Sequence, residues 1–185
     1  MKEETVIILD YLSRGYSSSY TGEPIAQSVG HDYFTLLELV PRDKSSLKLG
    51  QEVYIGTGER KEIKFIKGRI AYDKLTHTSQ AELPQAIEGI IKRKEPKFIN
   101  FFNKAGSISI RKHSLELLPS IGKEHAKHII ETREEKPFES FEDVSKRVRL
   151  MPNPVRVIQE RVIEELKGDA KYYLFTIPPK KLREY

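Results

Sequence analysis

The apolar positions change rhythm along this chain. Up to about residue 75 they come in short β-branched and aromatic runs: ETVIILDYL (4–12), YFTLLELVPR (33–42), EVYIGTG (52–58) and EIKFIKGRI (62–70). Each has the length of a strand and is bounded by turn residues, with Gly-Thr-Gly-Glu-Arg between the last two. SRGYSSSYTGEP (13–24) has no period and reads as a loop. This spacing of strands and turns predicts a small antiparallel barrel rather than a βαβ unit.

In SQAELPQAIEGIIKRKEP (79–96), Ala86, Ile87, Ile90 and Ile91 recur at helical spacing and Pro96 closes the segment. KFINFFNKAGS (97–107) fits helix and strand alike and forms the junction, with the boundary at Ala105-Gly106-Ser107. From Ser107 onward the reading is helical. RKHSLELL (111–118) runs into a break, Pro119-Ser120-Ile121-Gly122, and KEHAKHIIETREEK (123–136) follows with Ala126, Ile129, Ile130 and Arg133 on one face. Ser140-Phe141-Glu142-Asp143 has the form of a capping box with Asp in the usual Glu/Gln place, opening a helix through Val148. Asn153-Pro154 is an N-cap with proline at the first helical position, and Gly168 ends the helix lined by Val155, Ile158, Val162 and Leu166. KYYLFTI (171–177) reads as a strand returning to the barrel, and PPKKLREY as a frayed tail. The predicted class is α+β. An OB-like antiparallel barrel with a late helix occupies 1–104, two tandem helical hairpins occupy 105–168, and a strand and tail occupy 169–185.

Charge adds a direction to this picture. The net charge is +5, and residues 96–185 hold 18 Lys/Arg against 13 Asp/Glu, whereas residues 1–95 hold 14 of each. The whole excess therefore sits in the helical half, which suits a polyanionic partner. There is no cysteine, which excludes disulfides, thiol nucleophiles and zinc-ribbon ligands. The chain opens on charged MKEET, and no apolar run approaches the ~18 residues of a membrane span, so a soluble, cytoplasmic protein without membrane contact is expected.

The helical break carries the candidate chemistry. Leu118-Pro119-Ser120-Ile121-Gly122-Lys123, with Ala126 and Ile129-Ile130 after it, resembles the helix-hairpin-helix module. The resemblance implies that residue 120 and Gly122 bring the backbone close to a phosphate, that Ile121 anchors the turn, and that the free amides of the next helix face the anion. Lys123 adds a mobile charge, and Ala126 allows close packing. An ordinary break explains neither Ile121 nor Lys123. Ser120 stands where the module has glycine and where φ > 0 is expected, and its hydroxyl is a candidate cap; Gly122 is likewise expected at φ > 0. The second hairpin, Leu150-Met151-Pro152-Asn153-Pro154, departs from the pattern and reads as a packing element. With the strand-rich half, EPIAQSVGHDYFTLLELVP (23–41), FFNKAGSISIRKHSLELLPSIGK (101–123) and KPFESFEDVSKRV (136–148) resemble an archaeal family of uncharacterised proteins labelled as predicted RNA-binding proteins. That resemblance covers residues 1–177 and implies an RNA partner.

The remaining candidates have a plain reading beside the functional one. Arg60, Lys61, Lys64, Phe65, Lys67 and Arg69 interleave charge with an aromatic, either as a face for single strands or as a solvated strand with Phe65 in the core. Tyr11, Tyr16 and Tyr20 suit packing better than base stacking. His125 and His128 lack the further ligands a metal needs, and Gly56-x-Gly58 is too short for a phosphate loop. Asp143 lies at the distance beyond Gly122 where DNA glycosylases carry their catalytic aspartate, but it already has a capping role. The expected function is non-catalytic, cofactor-free and metal-free binding of nucleic acid, RNA before DNA. The contacts expected are Ser120, Ile121, Gly122, Lys123, Lys127, Arg111 and Lys112, with Lys64, Phe65, Lys67 and Arg69 on the barrel. The alternatives are a structure-specific DNA-binding protein, an adaptor on ribosomal or RNA-processing machinery, and, last, a glycosylase.

Overall fold

The computed structural model describes residues 3–17, 22–43 and 45–178. By packing, the chain divides into two compact units, residues 1–87 with 164–185, and residues 88–163. The sequence reading draws its line at 104/105.

The first unit is built on a five-stranded antiparallel sheet. Its strands are β1 (Thr5–Leu12), β2 (Ile25–Gly30), β3 (Leu36–Pro41), β4 (Glu52–Tyr54) and β5 (Ile63–Arg69), in the order β4-β1-β2-β3-β5. Val6, Ile8, Leu37, Leu39, Val53, Ile55 and Ile63 form its core, with Leu47 from the β3–β4 connection. The sheet curls as far as a half-barrel. Among the described residues no ladder joins the two edges, β4 and β5, so the barrel expected from the sequence is present only as a half-barrel. β2 lies in the middle of the sheet, and all six of its residues are buried. Its sequence does not read as a strand, because Ala26, Gln27 and Ser28 break any apolar alternation.

Two buried carboxylates hold this unit's irregular backbone. Glu3 accepts the N–H groups of Asp32, Tyr33 and Thr35 at 2.7–3.0 Å, fixing the β2–β3 turn in which Phe34 takes φ = 53°. Gly30 has to be glycine there, since a Cβ would lie 2.0 Å from the Glu3 carboxyl carbon. Glu165 accepts the N–H groups of Leu174, Phe175 and Thr176 at 2.7–3.0 Å and the Thr176 hydroxyl at 3.0 Å. Three consecutive amides aimed at one carboxylate form an anion-binding nest, whereas a strand points successive amides to opposite sides. That geometry explains why 171–177 is not the strand its apolar composition suggested. The tail beyond Pro178 lies outside the described residues.

Helix α1 (His77–Arg93) starts at Thr76, whose hydroxyl accepts the Ser79 N–H at 3.0 Å. Pro96 does not merely close it. It sits in the first turn of α2 (Glu95–Lys104), where a missing N–H costs nothing, so the ambiguous 97–104 stretch is helix, with Phe98, Ile99 and Phe102 buried. A further correction follows at 107–113. β6 (Ser107–Ser109) and β7 (Lys112–His113) make a small hairpin, and only Ser114–Leu117 coils, as a 3-10 turn. The helix expected over 111–118 is thus a single turn. α3 (Lys123–Glu135), α4 (Phe141–Arg147) and α5 (Pro154–Leu166) follow as expected. Within the second unit the Asn103 side chain pairs with both the N–H and the C=O of Phe138 (2.8 and 2.9 Å). Arg147 donates to the carbonyls of Thr132 and Lys136 (2.8 and 2.7 Å), closing the C-terminus of α3. Among the described residues no helix is long and apolar enough to cross a membrane.

Replacing Glu165 with leucine should destabilise the chain by about 3 kcal/mol, because buried amides lose their acceptor while the volume stays filled. Glu165→Gln, which keeps one acceptor oxygen, should cost about half as much. Urea unfolding measures both, and hydrogen exchange should quicken at residues 174–176 first. Unchanged exchange there would show that the nest does not hold the segment.

Candidate nucleic-acid interface

The break after Leu118 is a tight turn with a defined form. The Ile121 N–H donates to the Leu118 carbonyl at 3.1 Å, Pro119 takes the second position and Ser120 the third, with φ = 64°. Proline second and a left-handed residue third is the signature of a type II turn. The left-handed conformation expected at residue 120 is present, and it is occupied by serine. Ile121 is 4% exposed and inserts into the unit rather than facing a ligand, so its part is to anchor the turn. Ala126, 3% exposed, lies on the buried side of α3.

Two expectations about this turn change. Gly122, the N-cap of α3, has φ = −87° and ψ = −178°, a conformation open to any residue. A Cβ there would meet nothing within 4 Å. Glycine is thus not needed for the backbone path, and its effect is to leave the space before the helix empty. Ser120 does not cap α3 either, since no side chain caps this helix. The amides of its first turn, the exposed Lys123 and the exposed Ser120 and Gly122 together make an open, positively polarised helix end.

The other basic candidates in this unit differ in freedom. Lys127 is exposed one turn along α3 and pairs with Glu131 at 3.8 Å. Arg111 and Lys112 are exposed on the β6–β7 hairpin, whose tip carries the fully exposed Ile110. Below it, His113 caps the 3-10 turn: its Nδ1 accepts the Leu115 N–H (3.2 Å) while Glu116 accepts the His113 N–H (2.8 Å). Burial and the nearby Arg133 lower the His113 pKa below its ordinary 6.5.

The second break, read from sequence as a degenerate second hairpin, repeats the backbone turn of the first. Met151 N–H donates to the Val148 carbonyl (3.3 Å) and Leu150 takes φ = 55°. Here the helix end is closed, because Asn153 Oδ1 accepts the Arg156 N–H at 3.1 Å. His125 Nε2–H donates to the Leu150 carbonyl and His128 Nδ1 accepts the Arg149 N–H, both at 3.2 Å. The two histidines therefore bind backbone, and among the described residues no three His, Asp or Glu side chains gather to hold a metal. Asp143 is similarly engaged. Its Oδ2 accepts the Glu139 N–H and pairs with Arg147, both at 3.1 Å, and against the raising effect of burial these contacts hold its pKa low. Its own N–H goes to Ser140 Oγ at 3.1 Å, completing the cap.

In the first unit, Phe65 is 40% exposed, so the core alternative for it is overturned. Lys64 and Lys67 are each an extra residue against β3, since Ile63 and Phe65 pair with Pro41 and Val40, and Ile66 and Gly68 with Leu39 and Glu38. These bulges break the alternation that a single binding face over Phe65, Lys67 and Arg69 requires. Lys67 pairs with Glu38 (3.7 Å), and Arg69 lies with Ile66 in a cleft that Lys64, Phe65 and Lys67 do not line. The Tyr11 hydroxyl donates to the Ser45 carbonyl (3.2 Å) and Tyr16 donates to Glu38, so both are packing groups. Tyr20 lies outside the described residues.

The chain matches the model of a family described as a protein of unknown function, DUF655, over residues 2–177. It is 43% identical over 170 residues to an uncharacterized protein, MJ0038, of Methanocaldococcus jannaschii, covering 91% of this chain and 77% of that one. It is also similar to the crystal structure of Af1531 from Archaeoglobus fulgidus, assigned to the same family model. The TM-score is 0.88 at 43% identity, over 95% of this chain and all of the other.

Two measurements test the turn. Ser120→Val should cost about 2 kcal/mol, since a β-branched residue resists φ > 0, whereas Gly122→Ala should stay within about 1 kcal/mol of wild type. Urea unfolding that ranked them the other way would refute the backbone path. For His113, the folded state favours the neutral ring, so its contribution is present above about pH 6.5 and is lost as pH falls through the lowered folded value. Wild type should therefore lose stability relative to His113→Asn between pH 7 and 5, and parallel curves would refute the assignment.

Proposed function

The chain belongs to the DUF655 family of proteins of unknown function, and we propose that it is a non-catalytic nucleic-acid-binding protein, for RNA before DNA. In this reading the Leu118–Lys123 turn and the start of α3 work as a helix-hairpin-helix, gripping one phosphate of the backbone. The observation that carries the reading is the uncapped end of α3 behind a glycine whose missing side chain leaves the approach open. A helix end of that kind favours an anion through its amides and its dipole. Lys123 stands beside it, and the charge excess of residues 96–185 supplies attraction at longer range. Contacts of this class position a polyanion without reading its bases. Arg111 and Lys112 are further phosphate contacts in this reading, and Lys127 is secondary because Glu131 competes for it.

A second contact surface is the OB-like sheet of the first unit, where the exposed Phe65 offers a stacking platform beside Lys64. Asp143 has no part in chemistry in this proposal, since its carboxylate serves Glu139 and Arg147.

Gly122→Val should weaken binding to a structured RNA about tenfold while leaving the fold intact, because its branches fill the approach. Lys123→Glu should weaken binding evenly across sequences and make the salt dependence shallower by about one unit of log–log slope. Fluorescence anisotropy between 50 and 200 mM salt measures both. A folded Gly122→Val that binds like wild type would reduce the hairpin to a turn.

A further inference from the structure

The half-barrel leaves a seam between its edge strands, and a cleft of about 240 Å³ opens in the first unit at the loop joining β4 to β5. Its apolar floor is Leu37, Ile55 and Ile66, and Arg60, Arg69 and Thr57 contribute to its polar lining. Arg60 is held before any ligand arrives. Its Nε–H donates to the Gly56 carbonyl at 2.9 Å, and its own carbonyl accepts from Arg42 Nε at 2.8 Å. The loop is in turn packed on Tyr54, whose hydroxyl accepts the Gly58 N–H at 3.0 Å. At Gly56 a Cβ would fall 2.4 Å from that hydroxyl, so any other residue there would have to displace the Tyr54 ring. The bond from Nε leaves the two terminal nitrogens of Arg60 to serve an anion, and Arg69 adds a second guanidinium.

Two carboxylates also line the cleft, and they differ in kind. Glu3 is only 6% exposed and already accepts three backbone amides. Glu4 is exposed, and its charge opposes a bare inorganic anion. A ligand that meets all of these groups carries a phosphate for the arginines, an apolar ring for the floor, and hydrogen-bond donors for Glu4. From this we infer that the cleft binds a single nucleoside monophosphate unit, either free or within a strand. Its phosphate lies on Arg60 and Arg69, its base on Leu37, Ile55 and Ile66, and its hydroxyl or amino groups face Glu4. At about 240 Å³ the cleft falls below the roughly 300–1,000 Å³ of sites that bury a whole drug-sized ligand, which suits one partly exposed nucleotide. This inference goes beyond the α3 reading and does not depend on it.

The test is calorimetric titration of the full chain with AMP, adenosine and inorganic phosphate, with amide shifts recorded by NMR. AMP should shift Ile55, Gly56 and Gly58 and bind at least about tenfold more tightly than either fragment. Arg69→Gln, at an exposed side chain, should weaken AMP about tenfold and leave adenosine unchanged. The inference is overturned if AMP moves none of those amides, if adenosine or phosphate binds as tightly as AMP, or if Arg69→Gln binds AMP like wild type. AMP binding through Arg69 with no binding of structured RNA would sink the hairpin reading alone. RNA binding with no AMP binding would sink the cleft alone.

Discussion

The side-chain amide of Gln27 is the point on which the first unit turns. It is fully buried in the central strand β2, and its hydrogen-bonding groups are engaged from three places. Its oxygen accepts the Thr76 N–H at 2.9 Å, and its NH2 donates to the Tyr16 hydroxyl at 2.7 Å and to the Lys74 carbonyl at 3.2 Å. A buried amide left unmatched costs about 1–3 kcal/mol, so β2 occupies the centre only if the segment leading into α1 and the β1–β2 loop fold onto it. Tyr16 passes the constraint on by donating to Glu38 of β3. Burial, and after it that hydrogen bond, push its pKa up to about 12, so the phenol stays a neutral donor.

Elsewhere the chain uses side chains to close backbone groups that secondary structure leaves open. Glu3 and Glu165 each take three amides, Ser140 and Asn153 cap α4 and α5, and His113 caps the 3-10 turn. Even α2, which has no side-chain cap, carries Pro96 in its first turn and so has one donor fewer. Against that habit the exposed start of α3 stands out. With glycine at its N-cap, α3 gives up only about a few tenths of a kcal/mol relative to a Ser or Asn cap, so its amides stay open at little cost and a bound anion can take them.

What could be read from the sequence was local. The caps at Ser140 and Asn153, the stop at Gly168 and the left-handed position of Ser120 are each set by a few neighbouring residues. Errors fell where a distant partner decides. β2 lacks alternation because its polar side chains are satisfied by Tyr16, Lys74, Thr76 and the Leu37 carbonyl, all outside the strand and two of them nearly fifty residues away. Residues 171–177 have strand composition but are bent around Glu165. Barrel closure depends on β4 meeting β5, and no local pattern reports on that. The cleft is half legible: Arg60 and Arg69 read from sequence as charges on a strand-like run, but the fixing of Arg60 by Gly56 requires the folded loop.

The two turns of the second unit follow one backbone path and then diverge in chemistry. Leu118–Ile121 and Val148–Met151 each close with a hydrogen bond from the fourth residue to the first, and each puts an ordinary residue at φ > 0 in third place. In the first, Gly122 follows directly and offers no side chain to the helix end. In the second, Pro152 and Asn153 follow, and Asn153 Oδ1 occupies the place an anion would take by accepting the Arg156 N–H. Leu150 is 80% exposed and gains little from packing, so the left-handed strain of about 1–2 kcal/mol needs another source of compensation. Hydrogen bonds at Arg149 N–H, the Leu150 carbonyl and Met151 N–H supply it, two of them from histidines on α3. The second turn therefore spends its donors and acceptors inside the unit. In doing so it fixes the helix whose open end is the candidate contact.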